Sequence, residues 1–385
     1  MSIETKSIFD EVPQRYQTDS QKWQKYEGQD ILPMWVADMD FKAPAPVLDA
    51  LHERIDHGIF GYARPEKSTV DAVLEMLERN YNWKVQKEWL VWLPGLVVGL
   101  NVASNAFLAP GESVLTNTPI YPPFMLGPKF QSRAVSKAPM VLDGGRWVID
   151  WDAMEKAITP DTKLFLLCNP HNPCARVFDR SELESILEFC EKHDLLCCSD
   201  EIHCELLLDG RKHTPIATLS EDASKRVFTF IAPSKTYNLA GLGCSIAIIP
   251  DASLRNRFNA ATRGIVAEVN NLGYTACEAA YRHGDQWRNE LLDYLAGNRD
   301  LIHNFIKNET PQASVYQHEA TYLSWINVEK LGLADPVAHF ESHGLGLSDG
   351  SFFGDKNHVR MNFGCPRSTL QEGLNRFKKA IESIS

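Results

Sequence analysis

The hydrophobic pattern in the middle of the chain alternates short, continuous apolar runs with longer stretches of helical periodicity. Such runs are typical of strands that are buried on both faces. They cover Glu88–Pro94, Ser113–Thr116, Thr162–Cys168, Leu195–Ser199, Arg226–Ile231 and Cys244–Ile249. Helical segments lie between them, and Ser181 with Glu184 predicts a capping box at the start of one such helix. This alternation predicts a parallel sheet with right-handed crossovers.

The two ends of the chain have a different pattern. Residues 1–30 have no clear periodicity and are predicted to form an irregular arm, followed by helices over Val47–Asp56 and Ser68–Asn80. After Gly284 a long helix is predicted at 285–307, and then come strands at 322–328 and 358–364 and helices at 335–342 and 368–384. The expected fold class is therefore α/β, with a large domain at 61–284 and a smaller α+β domain built from 1–60 together with 285–385.

Functional groups follow the predicted strands in a regular way. Gly95, Tyr121, Asn172, Asp200 and Lys235 each come after the carboxyl end of a different strand. Ligands bind at that edge of a parallel sheet. Five such residues together favour a cofactor site over an accidental arrangement.

Lys235 ends the segment VFTFIAPSK, in which a buried strand stops at Ala-Pro-Ser. A partly desolvated amine at that place can lose its proton near neutral pH and attack a carbonyl carbon. The alternative is a surface lysine in a strand-to-loop turn. The choice between a reactive and a surface lysine depends on whether the rest of the chain supplies partners for a reactive amine.

Three other features have a structural alternative as well. Gly95 lies between a strand and a helix, so the backbone there could bind a phosphate or could form a plain turn. The segment Pro33–Phe41 mixes apolar residues with Asp38 and Asp40, and could line a site or form an ordinary loop. Arg360, inside a predicted strand, could bind a carboxylate or form a structural salt bridge.

Composition narrows the classes of function. The chain has 385 residues, 44% of them hydrophobic, and a net charge of −11, which argues against nonspecific binding to nucleic acids or anionic membranes. No apolar run reaches the roughly 18 residues of a membrane-spanning helix, and the polar N-terminus lacks a signal-peptide core. Nine cysteines without paired spacing suggest reduced thiols in a cytoplasmic protein. A zinc site of Cys197, Cys198 and His203 is conceivable but disfavoured, so no metal is expected.

A set of motifs then resembles a known family. The motifs are PMWVADMDF, GYARP, PGLVVGL, PIYPPF, CNPHNP, SDEIH, APSKTYNLAGL, ATYLSW and RMNFGCPR, and they extend from about Pro33 to Pro366. Together they resemble the fold type I pyridoxal-phosphate enzymes, and within these the MalY/PatB-type cystathionine β-lyases, or C–S lyases. The SDE and SK elements are shared with class I/II aminotransferases, whereas PMWVADMDF and CNPHNP are narrower.

The resemblance implies a role for each residue of the site. Lys235 would carry pyridoxal 5′-phosphate covalently and later act as general base, and Asp200 would pair with the pyridinium nitrogen, which should lower the pKa of this aspartate. Asn172 would bind the phenolic oxygen, and His203 stands where aminotransferases have a tyrosine for that oxygen. Tyr121 would stack on the ring and assist the leaving group. The remaining implied contacts are Gly95, Leu96, Val97 and Ser234 with the phosphate, Tyr62 with the phosphate of the neighbouring subunit in a homodimer, and Arg360 and Asp38 with the substrate.

Three positions depart from the aminotransferase pattern. Ala232 stands where a hydroxyl residue is usual, and Gly243 stands where an arginine is usual. Fewer side chains are therefore expected to bind the phosphate. Cys174-Ala175 follows NPHNP where a glycine is usual, and this should disturb the turn unless the φ of the alanine is negative.

The expected function is therefore a dimeric C–S β-lyase acting on cystathionine or another S-substituted cysteine. An aminotransferase on the same scaffold is the first alternative, and a non-catalytic binding protein is the second. The motifs do not encode which sulfur amino acid is preferred.

Overall fold

The computed structural model describes residues 7–384. Its strands, numbered in chain order, are β1 (Leu32–Pro33), β2 (Leu90–Leu93), β3 (Ser113–Thr118), β4 (Ala134–Asp143), β5 (Arg146–Ile149), β6 (Thr162–Cys168), β7 (Leu196–Asp200), β8 (Val227–Ile231), β9 (Ser245–Ile248), β10 (Ser314–Val315), β11 (Leu323–Asn327), β12 (Leu345–Gly346), β13 (Ser348–Asp349) and β14 (His358–Asn362).

The α-helices are α1 (Gln21–Gln24), α2 (Ala45–His57), α3 (Lys67–Tyr81), α4 (Leu96–Phe107), α5 (Pro123–Phe130), α6 (Trp151–Ala157), α7 (Arg180–Lys192), α8 (Ala223–Arg226), α9 (Ala252–Thr262), α10 (Asn271–His283), α11 (Asp285–Glu309), α12 (Pro336–Ser342) and α13 (Arg367–Glu382). Short 3₁₀ turns cover Ile8–Asp10, Lys87–Trp89, Ile216–Thr218, Ala240–Leu242, Glu329–Leu331 and Gly350–Phe353.

Eight strands form the main sheet in the order β2-β9-β8-β7-β6-β3-β4-β5. The five strands from β8 to β4 are mutually parallel, as the continuous apolar runs predicted. Strand β9 is antiparallel to both of its neighbours, and β5 is antiparallel to β4. The prediction of a mainly parallel central sheet is therefore confirmed, and β9 and β5 are its antiparallel strands. Because β2 and β8 both oppose β9, they run in the same direction and end at the same edge.

Alternate side chains of the central strands enter two separate cores, one on each face of this sheet. On β6, Phe165 and Leu167 pack in one core, whereas Leu164 and Leu166 pack in the other. Each such buried side chain contributes about 2 kcal/mol relative to exposure. Helix α4 packs very closely on one face, because Gly99 has no side chain. A Cβ atom there would lie 3.0 Å from both Leu93 Cδ1 and Phe230 Cε2.

A four-stranded antiparallel sheet in the order β10-β11-β14-β13 contains the strand of Arg360. The N-terminal segment joins this part of the molecule through a parallel pairing of Leu32 with Leu345 and Pro33 with Gly346. The division of the chain into units 61–284 and 1–60 with 285–385 stays a prediction.

Two local expectations are corrected. The capping box of α7 is formed by Asp179 and Glu182, not by Ser181 and Glu184, because the N-cap lies two residues earlier than the pattern suggested. The expected irregular arm contains the 3₁₀ turn at Ile8–Asp10 and helix α1, and the part before residue 7 lies outside the described residues.

Within residues 7–384, no helix is both long and apolar enough to cross a bilayer. All nine cysteines are free and buried. The same range contains no cluster of three or more His, Cys, Asp or Glu side chains arranged to bind a metal ion.

Candidate active site

The five strand-end residues line one cavity of about 270 Å³. Gly95 follows β2, Tyr121 follows β3, Asn172 follows β6, Asp200 ends β7 and Lys235 follows β8. The prediction that they meet at one edge of the sheet is confirmed. Leu96, Val97, His203, Ser234, Gly243 and Arg360 line the same cavity.

A second cavity, of about 320 Å³, lies beside α2, α3 and α10. Its charged residues include Arg54, Glu66 and Glu278, and none of the five strand-end residues lines it. The concentration of reactive groups therefore identifies the smaller cavity as the candidate site.

Lys235 has the properties of a nucleophilic amine. Burial lowers the pKa of its ε-amine to about 8, and the nearby Arg360 guanidinium acts in the same direction, whereas Asp38 and Asp200 oppose it. The amine donates a hydrogen bond of 2.7 Å to the carbonyl oxygen of Ala37. About half of these amines are therefore uncharged near pH 8, far more than for an ordinary lysine.

Asp200 differs from the expectation of a lowered pKa. Burial raises the pKa of its carboxyl group to about 7, although the amide of Ile202 donates a hydrogen bond to Oδ1 at 3.0 Å and Lys235 attracts the charge. The physical reason is that the protein buries this carboxylate without bringing a cation into direct contact with it. A ligand that carries a positive charge would supply the missing partner.

The start of α4 forms an anion-binding turn. Gly95 is the N-cap residue, and the first helical hydrogen bond runs from the Gly99 amide to the Gly95 carbonyl at 3.3 Å. The amides of Leu96 and Val97 precede that bond, so they are available to a phosphate at the positive end of the helix. Ser234, on the loop after β8, lines the same cavity.

The backbone conformation at residue 243 explains why this chain has a glycine where aminotransferases usually have an arginine. Its φ is +58°, a left-handed conformation that side-chain-bearing residues rarely adopt, and a Cβ atom would lie 3.0 Å from the Pro94 carbonyl oxygen. An arginine at this position would strain the backbone beside the phosphate turn.

Arg360 is a buried cation surrounded by neutral acceptors. It donates to Asn172 Oδ1 and to the Trp35 carbonyl at 3.0 Å each, and its guanidinium lies 4.6 Å from the ring centre of Phe353. Burial lowers its pKa to about 10. Its Nε has no hydrogen-bond partner within residues 7–384, and no carboxylate in that range forms a salt bridge with it. The alternative of a structural salt bridge is therefore wrong, and an anion is the natural ligand.

Two further side chains of the cavity stay neutral at physiological pH. Burial lowers the pKa of His203 to about 3, with Lys235 and Arg360 acting in the same direction, and its Nδ1 has no partner in the described part of the chain. Burial raises the pKa of Tyr121, whose backbone amide donates to the Asn172 carbonyl at 3.0 Å. Tyr121 therefore keeps its proton and can donate it in a hydrogen bond.

Two residues that were predicted to belong to the site, Asp38 and Tyr62, do not line this cavity. Asp38 turns to the N-terminal arm, where its Oδ2 lies 3.1 Å from Arg15 Nη2, and the residues before it, Val36 and Ala37, line the cavity instead. Cations of the arm bind its carboxylate, and the contact of Asp38 with the substrate stays a prediction. Tyr62 is fully exposed, and its contact with a neighbouring subunit stays a prediction.

The turn after Asn172 keeps its shape despite the missing glycine. Ala175 has a φ of +54°, so the condition of a negative φ is not met. Its carbonyl oxygen accepts hydrogen bonds from the amides of Glu319 and Ala320, at 2.8 and 3.1 Å. These bonds hold the alanine in a conformation that costs about 1–2 kcal/mol.

Sequence reasoning missed the residues that fix Met34–Phe41 against the cavity. Asn238 binds the backbone of Met39 at both ends and the carbonyl of Phe41, and Asn362 donates to the carbonyls of Val36 and Asp38 at 2.6 Å each. Each asparagine follows a functional residue by two or three positions within a quoted motif. That proximity was a signal, because a short amide side chain can bind a neighbouring backbone segment.

Comparison with known proteins gives a consistent result. The model of the family "aminotransferase class I and II" matches residues 30–377. The chain is 39% identical to cystathionine β-lyase PatB of Bacillus subtilis, over 97% of this chain and 99% of that protein. The solved structure of OvoB superimposes with a TM-score of 0.96 at 46% identity, over 98% of this chain and 99% of that one. The solved structure of the PLP-bound C–S lyase from Staphylococcus hominis superimposes with a TM-score of 0.92 at 30% identity, over the same shares.

Proposed function

Because this chain belongs to the class I and II aminotransferase family, we propose that it is a pyridoxal-phosphate-dependent carbon–sulfur β-lyase. It cleaves cystathionine or another S-substituted cysteine to a thiol, pyruvate and ammonia. The observation that carries this function is the shared cavity of Lys235, Asp200 and Arg360 in a chain whose relatives include a named cystathionine β-lyase and a PLP-bound C–S lyase.

The residues of the cavity fit pyridoxal 5′-phosphate. An amine with a lowered pKa suits its aldehyde, a buried carboxylate with a raised pKa suits its ring nitrogen, and free helix amides suit its phosphate. When bound, the cofactor supplies an electron sink for the charge that develops at the substrate Cα.

Lys235 and Tyr121 are the residues to which we assign proton transfer. Lys235 would hold the cofactor, and its ε-amine would take the proton from the substrate Cα as general base. Tyr121 would lie against the cofactor ring and, because it stays protonated, would donate a hydrogen bond to the sulfur that leaves Cβ.

The other residues of the cavity would hold and orient the cofactor and the substrate. Asp200 would hold the ring nitrogen, and Asn172 and His203 would hold the phenolic oxygen. Gly95, Leu96, Val97 and Ser234 hold the phosphate. Arg360 binds the substrate α-carboxylate with two parallel hydrogen bonds, which its planar guanidinium provides.

The assembly and the compartment are also part of the proposal. We propose a homodimer in which the partner subunit's Tyr62 reaches the phosphate. The exposed apolar side chains of Ile59, Phe60 and Tyr62, adjacent in sequence, support such a contact. Nine buried, free cysteines support a reducing compartment, and we propose the cytoplasm.

A substrate panel tests the function. Purified protein loaded with pyridoxal phosphate is incubated with cystathionine, S-alkylcysteines and ordinary amino acids plus a keto acid, and pyruvate, free thiol and consumed keto acid are measured together. Equal amounts of pyruvate and thiol from the S-substituted cysteines are expected. Keto acid consumption without thiol release would instead support an aminotransferase, which the family model also describes.

Two lysine variants separate an enzyme from a binding protein. Lys235→Ala should abolish both thiol release and the visible absorbance of the bound cofactor. The matched control is Lys225→Ala, since Lys225 is an exposed lysine just before the same strand and pairs only with nearby Asp222 within residues 7–384. If Lys235→Ala keeps full activity, the assignment of the lysine is wrong.

A further inference from the structure

The Ala37 carbonyl oxygen accepts two hydrogen bonds from side chains of the described chain. One comes from the Lys235 amine at 2.7 Å, and the other comes from the hydroxyl of Tyr322 at 3.0 Å. Tyr322 is completely buried and does not line the cavity. Hydrogen bonds connect it to Lys235 through their shared acceptor.

The neighbouring peptides of this segment are fixed separately. Asn362 donates to the carbonyls on either side, those of Val36 and Asp38, at 2.6 Å each. Asn238 holds Met39 by its amide and its carbonyl. The peptide that contains the Ala37 carbonyl is also held by its amide, since Asp38 N–H donates to the Val36 carbonyl at 3.0 Å. Besides Lys235, the Tyr322 hydroxyl is the side-chain donor of the described chain that binds the Ala37 carbonyl oxygen itself.

We propose that Tyr322 is a positioning residue for Lys235. Its hydroxyl holds the Ala37 carbonyl in the orientation that receives the free ε-amine and so fixes the place of the amine during the reaction. The expected effect on kcat rests on the proposed function, in which Lys235 is the general base. The expected effect on the pKa of the Lys235 amine does not rest on it.

The geometry also sets the sign of an electrostatic effect. The Tyr322 hydroxyl and the Lys235 amine donate to the same oxygen, so the hydroxyl proton lies near the amine. The positive end of this O–H dipole disfavours the ammonium form of Lys235. The other charged groups that face Lys235 are Arg360, which disfavours it as well, and Asp38 and Asp200, which favour it. His203 is neutral. Burial raises the pKa of Tyr322, so its hydroxyl stays a donor at all working pH values.

The test removes the hydroxyl and keeps the ring. In the full-length, cofactor-free protein, Lys235 is labelled with acetic anhydride between pH 6 and 11, and its acetylated peptide is quantified by mass spectrometry. Tyr322→Phe should raise the labelling pKa of Lys235 by about half a unit to one unit. The control is Tyr281→Phe, because Tyr281 is equally buried and makes none of the hydrogen bonds to Ala37 within residues 7–384. It should leave the labelling profile unchanged.

Kinetics of the loaded enzyme give the second measurement. Tyr322→Phe should lower kcat about tenfold and change KM less than twofold, because the amine is misplaced while the substrate contacts remain. Replacing Tyr322 with 3-fluorotyrosine, whose hydroxyl is a stronger donor, should shift the labelling pKa downward and tests the idea even if the phenylalanine variant folds poorly. Labelling and kcat equal to those of Tyr281→Phe would overturn the proposal. A labelling shift without any lyase activity in the parent protein would instead refute the proposed function alone.

Discussion

Replacing Asp200 with asparagine should stabilise the cofactor-free protein at pH 8. The rise of the Asp200 pKa from its ordinary 3.8 to about 7 corresponds to about 4 kcal/mol, at ~1.4 kcal/mol per pKa unit. In the unfolded chain this carboxyl loses its proton near pH 4, so between about pH 4 and pH 7 the folded state binds more protons than the unfolded state. Stability therefore falls as pH rises through that window and stays low above it.

Asparagine does not ionise, so the variant avoids this loss. The buried amide of the variant is imperfectly hydrogen-bonded, which costs about 1–2 kcal/mol. The free energy of unfolding at pH 8 should therefore rise by roughly 2–3 kcal/mol relative to wild type. At pH 5 the wild-type protein has lost only about 1.5 kcal/mol, and the two proteins should be nearly equal. Saturating pyridoxal phosphate should reverse the order at pH 8, because the ring nitrogen supplies the positive charge that only the aspartate can use.

The assay is urea unfolding at pH 5 and pH 8, with and without cofactor. Asp209→Asn serves as a control of opposite sign, since two hydrogen bonds from Arg299 lower the pKa of Asp209 and the variant should be less stable at pH 8. The reasoning is refuted if cofactor-free Asp200→Asn is no more stable than wild type at pH 8, or if its gain is the same at both pH values.

Three other outcomes follow from the geometry. Arg360→Lys should lower kcat/KM about 100-fold, mainly through KM, because an ammonium cannot make two parallel bonds to a carboxylate; unchanged KM in steady-state assays would contradict this. Ala175→Gly should raise stability by about 0.5 kcal/mol in urea, because relief of the left-handed strain exceeds the entropy cost of glycine, whereas the helical control Ala103→Gly should lose about 1 kcal/mol or more. Asp40→Asn should cost about 3 kcal/mol, since it leaves buried Lys22 without the carboxylate oxygen at 2.7 Å; a loss below 1 kcal/mol on urea unfolding would show that Asp38 compensates.

The sequence predicted the strands of the main sheet well because their side chains are buried on both faces, so a continuous apolar run marks each one. It predicted the cavity for a related reason: residues that follow parallel strands must meet at one edge. It missed the direction of β9, because a short apolar strand looks the same in either direction. Strand β4 was not predicted, since half of its length is exposed and its pattern is mixed.

Side-chain partners from distant parts of the chain were the least predictable feature. Asp38 was expected at the substrate, but Arg15 binds it, and nothing in either local pattern indicates that pair. The pKa of Asp200 was expected to be lowered by a cationic ligand, whereas burial raises it to about 7 in the protein without that ligand. The conformation of Ala175 depends on two amides more than 140 residues away, as the sequence numbers of Glu319 and Ala320 indicate.

The hydrogen bond from Arg360 to the Trp35 carbonyl joins residues 325 positions apart, and the pairing of Leu32 with Leu345 spans nearly as much. During synthesis the ribosome therefore delivers one wall of the cavity at the start and its cation almost at the end. Since translation proceeds at about 5–20 residues per second, the nascent chain carries Lys235 for several seconds or longer before Arg360 can arrive. In that interval the parallel strands can already fold, but the cavity lacks the wall that contains Arg360. Completion of the cavity thus depends on contacts between the two ends of the chain, which can form only late in synthesis.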